Sequence, residues 1–203
     1  ASGGTYQHNM NGGALTTATW NANSTCNVAG VTNTLPTGLG QTFGHFTWNC
    51  TGQTATVSNL VGSGLVNVAG NFTVSSTNGQ ILNFNNSGTN STITFGGNFA
   101  ITNGNVDLAS AVGSTTINVA GNISVAGTST LDSSTTNATT VNGTFVINGT
   151  GVQTINLATP ANCKYYNITI NSGSTLQLLS NVGLSKNNNA PFRGTLTVNS
   201  GAV

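Results

Sequence analysis

The nine residues VNVAGNFTV at 66–74 return as ITFGGNFAI at 93–101 and as INVAGNISV at 117–125. Self-similarity at this spacing marks a repeat architecture, in which each unit buries its apolar face against its neighbours. It limits the fold more than any other feature of the chain. Aligned on their first apolar residue, the pieces read FTWN from Phe46, FTVS from Phe72, FAIT from Phe99 and ISVA from Ile123. They continue as FVIN from Phe145, ITIN from Ile168 and LTVN from Leu196, at intervals of 26, 27, 24, 22, 23 and 28 residues. The first and third positions are always apolar. That is the period-2 pattern of a strand with one buried face. Nowhere does an i, i+3, i+4 pattern run for a helical length, and the helix formers Glu, Lys and Arg are nearly absent.

Two all-β arrays have units of this length. Stacked hairpins need Asn-Gly turns set regularly between paired runs. The pairs Asn78-Gly79 and Asn142-Gly143 are not placed so. A parallel solenoid needs a similar residue at the same corner of each coil, which the alignment supplies. The sequence therefore predicts an all-β, single-stranded parallel β-helix of about 22–28 residues per coil. Roughly eight coils rising by about 4.8 Å each would make a rod on the order of 40 Å long.

Within a coil, Val66 and Val68 point inward, Gly70-Asn71 turns, and Phe72 and Val74 point inward again. Glycine reaches positive φ freely and asparagine tolerates it. Asn71, Asn98 and Asn122 are expected to stack as a corner ladder, ending where Gly143-Thr144 replaces the pair. A third strand per coil is visible at 81–84, 106–108 and 129–131. Residues 1–40, with Trp20, Cys26 and Val28, read as an irregular first coil or cap. Residues 41–203 read as solenoid. Its last strand, 194–199, follows Lys186, Pro191 and Arg193 but is itself smooth, and an unblunted edge can template another strand. Further coils of the same chain, or identical subunits stacked end to end, are the expected partners.

Composition narrows the function. Charged residues are 2% of the chain, where about 25% is usual. The net charge of +1 steers neither nucleic acid nor an acidic membrane surface. No apolar run approaches the roughly 18 residues of a membrane span. The start, Ala1-Ser2-Gly3-Gly4, has neither a basic region nor an apolar stretch, so the sequence reads as a mature or excised segment of something longer.

The stretches YYNITINSGSTLQL, GTLTVNSGAV, TFGHFTWNCTGQT, YQHNMNGG and TATWNANSTCNVAGVT resemble the solenoid repeats of large secreted surface proteins of Bacteroidota. The resemblance covers most of the chain. It implies an extracellular, adhesin-like or stalk-like role and export by the type IX secretion system. It supplies no catalytic residues.

Candidate sites are sparse. Asp107 and Asp132 lie about one coil apart. A carboxylate pair can serve a glycosidase or hold Ca²⁺ with backbone carbonyls, but their contexts, NVDLAS and TLDSST, read as one polar strand residue and one turn residue. His8 and His45 are not accompanied by GxSxG or any other nucleophile motif. The expectation is a chain without enzymatic activity, metal or cofactor. The three cysteines forbid full internal pairing. For Cys26 and Cys50 two alternatives stand, a disulfide staple or two buried thiols acting as small apolar residues. Tyr165 and Tyr166, with Tyr6 and Trp20, are the candidates for a face that stacks on surface glycans. Outward Thr and Asn rows offer a second ligand type, ice. A self-assembling filament is the alternative to a stalk.

Overall fold

The computed structural model describes residues 3–109, 113–133, 143–164, 166–184 and 194–203. The described chain winds into a parallel β-solenoid with three faces. The first face holds eight strands: Thr5–His8, Thr25–Val28, His45–Asn49, Phe72–Ser76, Phe99–Ile101, Ile123–Val125, Val152–Leu157 and Thr175–Leu178. The second holds seven: Thr42–Phe43, Asn67–Val68, Ser91–Phe95, Thr115–Val119, Gly143–Ile147, Asn167–Ile170 and Leu196–Val198. The third holds four: Ile81–Asn83, Asn105–Asp107, Thr130–Asp132 and Cys163–Lys164. Every pairing between these strands is parallel. A single 3-10 turn, Pro160–Asn162, is the only helical element among the described residues, and none is long and apolar enough to cross a membrane.

The described strands amount to about six turns, fewer than the eight expected. The first face does reach eight strands, but the third becomes regular only from Ile81 onward. Residues 5–28 already pair in register on the first face while their other faces stay irregular.

The alignment by sequence also changes face partway along. Phe145 pairs with Ile117 on the second face, not with Ile123 on the first. The strand that lies on Ile123 is that of Ile155. This coil is long: Thr154 hydrogen-bonds to Asn122, 32 residues earlier. Both strands flanking a corner show the same alternation, so pattern alone cannot say which face a strand occupies.

The core is a set of columns. Phe46, Phe72 and Phe99 lie over one another with centroids 5.7 and 5.9 Å apart and rings within 8° of parallel. Phe95 stacks on Phe72 at 4.8 Å, and Phe84 meets Phe72 edge-on at 5.4 Å. Val74 and Ile101 form the next column. Each buried side chain of this kind contributes about 1.5–3 kcal/mol. Few charges are needed to hold such a stack, because the backbone donors pair along the axis and the columns are apolar.

The corner ladder is made of side chain to backbone bonds. The backbone N–H groups of Asn98 and Asn122 donate to the side-chain oxygens of Asn71 and Asn98, each at 2.8 Å. His45 Nδ1 accepts from the Asn71 N–H at one end, and Thr154 N–H donates to Asn122 at the other, again at 2.8 Å. The ladder thus continues to Thr154 and does not end at Gly143-Thr144. Beyond it the corner widens, and buried Gln153 bonds to the Gly149 N–H at 2.6 Å and to the carbonyls of Val119 and Gly121. The corner residues are not in the left-handed region; Asn59 and Asn78 are the non-glycine residues found there among the described residues. Glycine is required at the corner for a different reason. A Cβ at Gly97 or Gly121 would strike the asparagine of the coil beneath.

Candidate functional site

The third face gathers the chemistry. Asn83, Asp107, Asp132 and Lys164 occupy one row, paired residue to residue across its four strands. Asp107, Asp132 and Lys164 are the acidic, lysine and arginine residues within the described part of the chain; Lys186 and Arg193 lie outside it. Asp132 is therefore a strand residue stacked on Asp107, and not the turn residue expected from its context. Neighbouring parallel strands are about 4.8 Å apart, so the two carboxylates stand side by side. Like charges directly opposite one another on a sheet destabilise it.

The adjoining rows fix the direction of these side chains. Leu82, Val106, Leu131 and Cys163 are fully buried in the core. Alternation then turns Asn83, Asp107 and Asp132 away from it. Two residues upstream, Thr130 Oγ1 donates to Asn105 Oδ1 at 3.0 Å, and Asn105 Nδ2 donates to the Gly79 carbonyl at 2.8 Å. That second row holds the strands in register. Asp107 is 2% exposed and Asn83 1%, although both point off the core. Neither aspartate lacks a partner. Asn83 does: its amide oxygen and nitrogen are both buried without a hydrogen bond. A buried unmatched amide costs about 1–3 kcal/mol.

A stacked carboxylate pair near 5 Å has the spacing of a retaining glycosidase. Such an enzyme must present both groups to a sugar, and Asp107 is buried. No group of three or more His, Cys, Asp and Glu assembles among the described residues. His8 is buried, with Nε2 2.7 Å from the Gly12 carbonyl and Nδ1 3.3 Å from the Tyr6 hydroxyl, while His45 belongs to the corner ladder.

The structure corrects the aromatic candidates. Tyr166 is core, 1% exposed, edge-on to Phe145 at 5.4 Å. Burial and the neighbouring Cys163 push its hydroxyl far above the ordinary tyrosine range. It presents no ring to a glycan. Tyr165 lies outside the described residues. Tyr6 and Trp20 are half-buried at the N-terminal end, 6.0 Å apart and steeply inclined at 75°. They line a shallow groove of about 260 Å³. The Trp20 indole N–H donates to Gln41, and its ring leans on Phe43 at 5.0 Å. This end is closed by an aromatic lid.

The alternative of a Cys26–Cys50 staple is not realised: Cys26, Cys50 and Cys163 are all buried free thiols. Cys26 sits level with Phe46, whereas Cys50 lies beyond Trp48 and approaches the Val28 carbonyl. Desolvation pushes Cys26 and Cys50 up to about 12 and Cys163 up to about 11, with Asp132 adding to the last. The thiolate is the reactive form. We expect a thiol reagent at pH 8 to leave the folded protein unlabelled while modifying all three cysteines in denaturant; rapid labelling of the native chain would refute this. The raised values also set a pH dependence. The unfolded chain ionises first, so stability is whole below about pH 9 and falls as pH climbs toward 12.

Set against known proteins, the chain finds no counterpart: no family model, no curated protein and no solved structure matches it.

Proposed function

We propose that this chain is a non-catalytic structural segment of an extracellular surface protein, a stiff rod that holds other parts away from the cell. The observation that carries this reading is axial continuity. Sheet pairing, core columns and the corner ladder all run from coil to coil in one direction. The composition and the resemblance to secreted Bacteroidota repeats support the setting outside the cell, with type IX export as the matching route.

The first and last described coils differ in the apolar surface they present. At the C-terminal end Leu178, Leu179, Leu196 and Val198 are more than half exposed. Leu178 and Leu196, with Ile168, Ile170 and Leu176, border an apolar groove of about 230 Å³. The strand Leu196–Val198 has one unpaired edge, while the outer edge of Thr175–Leu178 is met by Val203, whose carbonyl accepts the Leu176 N–H at 2.8 Å. This surface suits one more coil laid in register. The N-terminal end offers no matching apolar face, since Thr5–His8 exposes Thr5 and Gln7 and its aromatics are packed. The outward rows are mixed: Thr73, Ala100, Ser124 and Asn156 repeat no single residue on the first face, while Thr92, Thr116 and Thr144 align on the second, the row on which the ice-binding alternative rests.

Negative-stain microscopy across a concentration series tests the reading. Discrete rods on the order of 30 Å long are expected, from about six turns rising by about 4.8 Å each. Long fibres in register would replace the stalk by the filament. Protease treatment of intact source cells should remove the chain if it stands outside; full protection would overturn the surface role.

A further inference from the structure

We propose that Asp107, Asp132 and the side-chain oxygen of Asn83 bind a hard divalent cation of the calcium type. Three observations converge on the third face. The carboxylates are stacked in register on adjacent strands. Asn83 is in register with Asp107 on the other side, so the amide and both acids stand in one row. The Asn83 amide is almost wholly buried and has no hydrogen-bond partner, which is a cost that a ligand would remove.

Calcium takes oxygen ligands from carboxylates and amide carbonyls at about 2.3–2.6 Å. An ion seated over Asp107, the middle residue of the row, lies one strand spacing of about 4.8 Å from the strands of Asn83 and Asp132, a gap their side chains close by leaning toward it. A soft metal would be drawn to sulfur, but Cys163 faces the core from the neighbouring row. Lys164 follows Asp132 in the row, and both aspartates already have partners, which an incoming ion would share or replace. Bound there, the ion would clamp three coils together.

The test is calorimetric titration of the chelator-treated, desalted protein with calcium chloride, alongside thermal melts. We expect one ion per chain with Kd on the order of 10⁻⁴ M. We expect Tm to rise by about 5 °C at 10 mM calcium. Asp107→Asn should abolish both the heat and the shift, and Asn83→Leu should weaken binding. Should Asp107→Asn fail to fold, Asp132→Asn and the wild-type titration decide. The proposal is overturned if wild type shows neither heat nor shift. It is equally overturned if the calcium effect survives in both Asp→Asn variants. A third refutation is Asp107→Asn raising Tm regardless of calcium, which would mark plain carboxylate repulsion. None of these outcomes bears on the stalk reading, since the rod is the same with or without the ion.

Discussion

Phe72→Ala is expected to destabilise the protein by about 3–5 kcal/mol, the usual cost of removing a buried phenylalanine from a packed core. Phe72 is fully buried at the centre of the aromatic column. It stacks on Phe46 below and Phe99 above, and touches Phe95 and Phe84 from the other faces of the coil. Its loss therefore opens a void shared by three coils, and none of them can collapse into it without leaving register. The stiffness of stacked strands makes relaxation poor, which places the cost toward the upper part of that range. A fall in Tm on the order of 10 °C should accompany it. Val152→Ala is the control, since that side chain is 63% exposed and surface changes stay within about 0.5 kcal/mol. Equal urea midpoints for Phe72→Ala and wild type would contradict the column as the main source of stability.

Gly97→Ala is expected to cost about 3 kcal/mol by overpacking. Its new methyl would overlap the Asn71 side-chain oxygen and lie 2.8 Å from the carbonyl carbon of Gly70. That same oxygen accepts the Asn98 N–H. The substitution thus pushes two coils apart and breaks a rung of the ladder together. Gly151→Ala is the matched comparison. A methyl there meets nothing within 4 Å and φ is ordinary, so the variant should be neutral or gain up to about 1 kcal/mol. Denaturant melts of the two variants should move in opposite directions. A shared direction would mean that the corner glycines serve backbone freedom rather than close approach.

Much of the fold was legible because alternation and corner residues recur together. Phe72, Phe99 and Ile123 carry both marks, and they do stack on the first face. Phe145 carries the alternation without the same corner, and there the reading slipped to a neighbouring face. The role of Gly70, Gly97 and Gly121 was also misread, because positive φ and close approach select the same residue. Of the site, the spacing of Asp107 and Asp132 was readable as one coil. What it hid was their shared row with Asn83 and Lys164, because strand register is set by long-range pairing. The burial of Asn83 was invisible too, since a polar strand residue opposite Leu82 reads as solvent-facing. Tyr166 failed for the converse reason: an aromatic pair next to a turn looks exposed until Phe145 is found beneath it.

The pairing of each coil with its neighbours alone has a mechanical consequence. Force along the axis acts on one coil at a time, because each coil is held only by its neighbour. Strands would peel in sequence and would not shear as a block. Coils of 24 to 28 residues would each release about 80–100 Å of extended chain. A short stiff rod would then lengthen stepwise under load and rewind when slack, which is the behaviour of a tether that absorbs tugs without breaking.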